Sequence, residues 1–286
     1  MASLPNTSAT NMAPVMSNGT GEPDSFDKFF ESWLVEQNRN LQELVSASTN
    51  NHNQSSTTTT ESPQGDQHRD RALPALINRV VLHYEQYYEA KASWANHNVL
   101  PMLSPPWLSS LEDTYLWIGG WRPSMAFHLL YSKSGLQFEA RLAEFFLGFP
   151  SGDLGYLCPT QLYQVNELQI KTLREERETT EKMAKQQETV ANTSMVNLSH
   201  VASDLMRSDQ ESTQERVEET KDRVRVEVAH KKEGLGEVLH RADDLRLRTL
   251  KGVIDILTPI QAVHFLIAAA ELHLRLHDWG KMTEAE

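Results

Sequence analysis

His273 and His277 stand near the end of the chain at the spacing that puts two imidazoles on one helical face, a single turn apart. Of all the spacings in this sequence, this one could hold a metal or a cofactor. Both rings would approach a ligand from the same side, so they cannot be opposite axial ligands of one haem iron unless the helix breaks. One could ligate while the other packs or hydrogen-bonds, or His264 or His83 could complete a small metal site. Spacing alone favours the plainer arrangement, two histidines at an amphipathic boundary near Trp279.

A second cluster lies in Tyr115-Leu116-Trp117-Ile118-Gly119-Gly120-Trp121-Arg122-Pro123-Ser124, the densest aromatic stretch. Trp117 and Trp121 could line a pocket for an apolar ligand, with Arg122 meeting an anionic group. The alternative is a buried corner where one helix stops at the glycines and Pro123 opens the next, and the frequency of buried aromatics favours it. No Gly-rich phosphate loop, paired-cysteine zinc spacing or nucleophile elbow occurs. Cys158 stands alone in a Gly/Pro-rich turn, where a thiol is usually inert. The sequence therefore reads as a non-enzyme with no catalytic residues and no dedicated metal site.

The elements that must carry these residues are helical. Residues 1–23 are rich in Ser, Thr, Asn, Pro and Gly without an apolar period and read as a disordered tail. From Asp24 to about Ala47, Phe26, Phe29, Phe30, Trp33, Leu34, Leu41 and Leu44 form the stripe of an amphipathic helix. A polar low-complexity tract, 46–67, reads as a flexible Ser/Thr linker. Helical spacing returns from Arg69 to about His97. Three short helices are then expected at Leu108–Ile118, Pro123–Lys133 and Phe138–Leu147, divided by Gly119-Gly120 and Gly135. A charged helix follows from Thr160 to about Val190, and mostly polar helical sequence from Asn192 to Lys232.

Leu239, Ala242, Leu245, Leu250, Val253, Ile256 and Leu257 recur at the helical period, and Thr258-Pro259-Ile260-Gln261 has the form of a capping box opening a last helix that ends at Gly280. Two helices joined this tightly are expected to pack as an antiparallel hairpin. With no period-two stretch anywhere, the fold class is all-α: an antiparallel multi-helix bundle spanning 24–281 between the tail and a short 282–286 end.

Charge narrows the partners. The balance of 27 Lys+Arg against 39 Asp+Glu, a formal charge of −12, disfavours capture of nucleic acid or anionic lipid. One cysteine excludes an internal disulfide framework. The first residues lack the charged and apolar regions of a secretory leader, and no apolar run is long enough for a membrane helix. The expectation is a soluble intracellular protein of the nucleus, the cytoplasm or both.

Four motifs occur in an order that resembles the plant Delay of Germination domain, also the C-terminal half of TGA-type bZIP transcription factors. They are Phe30-x-x-Trp33-x-x-x-Gln37, Leu116-Trp117-Ile118-Gly119-Gly120-Trp121-Arg122-Pro123-Ser124, Ala242-Asp243-Asp244-Leu245-Arg246-x-x-Thr249-Leu250, and Ile256-Leu257-Thr258-Pro259-Ile260-Gln261. Residues 1–23 contain no Lys or Arg, so DNA reading by an own basic region is not expected. The Leu272-His273-x-x-x-His277-x-Trp279-Gly280 ending resembles the stand-alone seed-dormancy members. That resemblance implies a regulator of dormancy and abscisic-acid signalling that binds type 2C protein phosphatases through its N-terminal helix. Asp24, Ser25, Phe30 and Trp33 would then belong to the phosphatase-contacting segment, and His273 and His277 to a haem site. The rival implication is a cofactor in transcription regulation that heterodimerises with TGA-type bZIP factors. Homo-oligomerisation is left open.

Overall fold

The computed structural model describes residues 25–55, 63–140, 154–207 and 214–285, and every regular element among them is a helix. In chain order these are α1 (Phe26–Ser55), α2 (Pro63–His97), α3 (Leu100–Leu103), α4 (Ser110–Thr114), α5 (Met125–Ala140), α6 (Pro159–Glu188), α7 (Thr193–Arg207), α8 (Gln214–Ile256) and α9 (Pro259–Glu284), with a 3₁₀ turn at Thr189–Ala191. The expected all-α bundle is what the chain forms. Asp24, the 1–23 stretch and most of the Phe138–Leu147 segment lie outside the described residues.

α1 lies antiparallel on both α2 and α9. Phe26 meets Trp94 and Trp33 meets His83 across α2, while Phe30 meets His277 and Ser48 meets His264 across α9. α6 runs antiparallel along α8, tied by Gln161 to the Ile256 carbonyl, Thr172 to Thr249, and Arg241 to Glu178. α8 in turn packs on α2, and α7 on α8. The buried face joins Phe30, Leu44, Val80, Phe127, Leu130, Leu239, Leu250, Val263, Phe265 and Leu266 in one core.

Several boundaries differ from expectation for identifiable reasons. The expected flexible linker 46–67 is helical at both ends, because α1 runs on to Ser55 and α2 already begins at Pro63. Ser46 and Thr49 bond the carbonyls of Gln42 and Val45 one turn back, which lets hydroxyl side chains continue a helix instead of competing with it. Gly135 lies inside α5, which runs on to Ala140, at the tolerable cost of about 1 kcal/mol for an interior glycine. The Leu108–Ile118 helix shortens to α4, which the Ser109–Glu112 capping box starts and the Trp117–Gly120 turn ends.

The last two helices do not form the expected hairpin. Thr258 and Gln261 do make the capping box, with Thr258 N–H donating to Gln261 Oε1 at 3.0 Å. The extended Thr258 backbone redirects the chain, so α8 packs mainly with α6 and also with α2 and α7, whereas α9 packs with α1, α2, α4 and α5. Nor does Gly280 stop α9, which continues to Glu284, where the carboxylate accepts from the Ser110 backbone N–H at 2.6 Å. Gly280 is a close-approach residue: a Cβ there would lie 1.9 Å from Ser109 Oγ.

Candidate functional site at the aromatic end of the bundle

The C-terminal half of α9 carries His273 and His277 toward the N-terminal half of α1, and the two sets of residues singled out from the sequence meet there. The Phe30 ring stands edge-on to His277 at 5.8 Å, and Trp33 lies 5.4 Å from His273. Phe30 is 3% and Trp33 5% exposed, so the aromatic stripe of α1 is folded onto the bundle itself. From α2, His83 stacks on Trp33 at 4.7 Å with rings 4° from parallel, and Trp33 Nε1 donates to the His83 carbonyl at 3.2 Å. Tyr84 accepts from Gln37 Nε2 at 2.7 Å, and Tyr87 packs against Phe26, Phe30 and Trp33. Trp107 closes the end, 4.6 Å from Phe26. Ser25 is exposed at the start of α1, its carbonyl accepting from the Lys28 N–H at 3.1 Å.

His277 is the most constrained of these groups. Its Nδ1 lies 3.0 Å from both oxygens of the buried Glu112, which also accepts from the Ser109 N–H at 2.9 Å and the Ser109 hydroxyl at 2.7 Å. A carboxylate on one nitrogen orients an imidazole and leaves the other for a ligand. His277 Nε2 is buried and has no hydrogen-bonding partner in the protein. Desolvation pulls the pKa of His273 down to about 4, against the opposing pull of Glu112, and burial lowers that of His83 as well. Burial raises Tyr84 to about 12. The imidazoles of His273 and His83 are therefore held toward their neutral form.

Were a haem bound at this end, the unpartnered Nε2 of His277 is the nitrogen that would hold it, with His273 on the same face of an unbroken α9. Phe30 and Trp33 already pack on the two rings, so a macrocycle requires α1 to move. His264 is elsewhere, between Ser48 Oγ at 3.4 Å and the Gln137 amide at 3.2 Å. No group of three or more His, Cys, Asp or Glu suited to a metal ion occurs among the described residues.

The Trp117–Trp121 stretch forms a separate feature, a corner held from beneath. Arg246, fully buried, donates to the carbonyls of Trp117, of Ile118 at 3.0 Å and of Trp121 at 2.6 Å. Lys91 donates to the Gly119 carbonyl at 2.7 Å, and Asp243 pairs with both Lys91 at 3.0 Å and Arg246 at 2.5 Å. Ile118 and Gly119 take positive φ of 48° and 69°, a conformation a β-branched residue keeps only when its surroundings enforce it. A Cβ on Gly120 would sit 2.9 Å from the Arg246 guanidinium carbon. The residues read as pocket walls are engaged internally: Trp117 donates to Thr180 at 3.0 Å, Trp121 to Tyr88 at 2.9 Å, and Arg122 faces Glu176 at 3.7 Å.

Sequence reasoning assigned no role to Glu112 and Trp107, although Ser109-x-x-Glu112 is a legible capping box. Nor did it see why Asp243 and Arg246, charges on an apolar face, belong there. Only the fold shows their common target.

Comparison with known proteins identifies relatives of this chain. A family model described as seed dormancy control matches residues 40–132. DOG1-like 3 of Arabidopsis thaliana is 32% identical over 224 residues, covering 76% of this chain and 75% of that protein. RESPONSE TO ABA AND SALT 1, also from Arabidopsis thaliana, is 28% identical over 262 residues, covering 91% of this chain and 96% of that protein. TGA-2.1 of Nicotiana tabacum, a TGACG-sequence-specific DNA-binding protein, is 31% identical over 129 residues, 44% of this chain and 25% of that protein. With its ordered motifs accounted for by one helical bundle and its likeness to DOG1-like 3 extending over three quarters of both chains, the chain belongs to the plant Delay of Germination (DOG1-like) family.

Proposed function

We propose that the protein is a non-enzymatic regulator of seed dormancy and abscisic-acid-type signalling, working by binding other proteins. Type 2C protein phosphatases are the first partner class, with α1 as the docking segment and haem as a ligand of His277. The observation that carries this reading is the meeting of Phe30 and Trp33 with His273 and His277 at one end of the bundle. An aromatic amphipathic helix is the element that lays its apolar face into a partner's groove, with Trp33 as anchor. The names of relatives, among them RESPONSE TO ABA AND SALT 1, support the process. Bound haem would supply a redox- and gas-responsive iron, and His277, oriented by Glu112, would hold it.

Pull-down of a purified type 2C phosphatase tests the partner. Trp33→Ala is expected to abolish capture while far-UV helicity stays at the wild-type level, and undiminished capture would contradict the assignment. For the ligand, haem titration of the wild-type chain should develop a Soret band that His277→Ala loses. A band of wild-type intensity in that variant would place the haem elsewhere.

A second reading, a transcriptional cofactor that heterodimerises with TGA-type bZIP factors in the nucleus, draws on the match to TGA-2.1. Co-immunoprecipitation from nuclei separates it from the first.

A further inference from the structure

Buried polar side chains are generally paired, and here the exceptions share one place. Among the described residues, the buried side-chain nitrogens and oxygens without a partner are Gln37 Oε1, Asn40 Oδ1 and Nδ2, His83 Nε2, Trp107 Nε1 and His277 Nε2. Gln37 and Asn40 are on α1. The other three belong to rings that α1 covers: His83 under Trp33, Trp107 against Phe26, and His277 against Phe30. The other buried charges behave differently: Lys91, Asp243, Arg246, Glu112 and Glu176 all have partners. A buried donor or acceptor left unpaired forfeits its hydration without return, so the apolar gain along α1 is opposed there as nowhere else in the described core.

Beyond this aromatic end, α1 keeps Leu41 and Leu44 in the core and pairs Glu43 with Arg79 and Ser48 with His264. Its outward face, Asp27, Glu31, Asn38, Arg39 and Gln42, is exposed, and the Arg39–Glu36 ion pair lies within the helix. We infer that α1 is a releasable strap. It leaves the bundle as a unit, and the aromatic face withdrawn from the seam, Phe26, Phe30 and Trp33, is the face a partner's apolar groove receives. The docked state is then the silent one, because it hides that face. Elements with opposed interfaces are those that open locally while the remainder of a fold stays intact. The identity of the partner rests on the phosphatase reading above, whereas the release rests on the seam alone.

Hydrogen–deuterium exchange of the full chain, followed by mass spectrometry, tests the release without any partner. Amides of α1 are expected to exchange about tenfold or more faster than those of the buried part of α9, from 262 to 270. Asn40→Leu removes two unpaired atoms at similar volume and should slow α1 exchange by about tenfold, leaving α6 and α8 unchanged. His83→Phe keeps the stack on Trp33, removes a third such atom, and serves as an independent second variant. Exchange of α1 in step with α9, or no slowing in either variant, overturns the strap. If the slowed variants capture a type 2C phosphatase more weakly than wild type, the strap and the partner stand together. If exchange follows expectation but the wild-type chain captures no phosphatase, the release holds and the phosphatase reading falls.

Discussion

At the scale of single residues, Glu112 and His277 define the site more than any other pair. Glu112 gathers the Ser109 N–H, the Ser109 hydroxyl and His277 Nδ1 within a buried pocket. Glu112→Ala should therefore lower stability by about 2–4 kcal/mol in urea unfolding, because three donors lose their acceptor at once. His273 predicts a pH dependence whose sign follows from its depressed value of about 4 against 6.5 in the open chain. Between these values the unfolded state binds more protons, so stability is complete above pH 6.5 and declines as pH falls toward 4, by at most ~1.4 kcal/mol per unit. Urea midpoints across that interval should fall in the wild type and fall less in His273→Leu. His83, also lowered by burial, adds to the same slope.

At the scale of elements, the bundle is held by two unlike seams. Beneath the Trp117–Trp121 corner, one carboxylate serves two buried cations, which also donate to the carbonyls of Trp117, Ile118, Gly119 and Trp121. Asp243→Ala leaves Lys91 and Arg246 buried without a counter-charge, an expected loss of about 3–5 kcal/mol by chemical denaturation. Where α9 crosses α4, Gly280→Ala drives a methyl into Ser109 and should cost about 1–3 kcal/mol in the same assay, because the clash also disturbs the capping box above Glu112. The helices, the Thr258 capping box and the apolar faces were readable in the sequence, since periodicity and caps are local properties. The partner of each face was not. Nothing within α8 says that its stripe meets α6 and α2, and nothing in Gly280 separates a helix stop from a contact with Ser109 more than a hundred residues earlier.

At the scale of the whole molecule, segments from opposite ends of the sequence build one site. The aromatic stripe of α1 and the histidines of α9 were each legible alone, through helical spacing, but their contact depends on α1 lying antiparallel to α9, which only the assembled bundle provides. Under the proposed function, a ligand on the histidines and a partner on the stripe would draw on the same surfaces, so occupancy of one would alter the other by thermodynamic linkage. The most direct test of that shared site is a double-mutant cycle between Trp33→Phe and His273→Ala, read from urea unfolding free energies. A non-additive term of about 0.5 kcal/mol or more is expected for residues whose rings stand 5.4 Å apart. Additive effects, within about 0.3 kcal/mol, would show that the two ends act independently and would contradict the account.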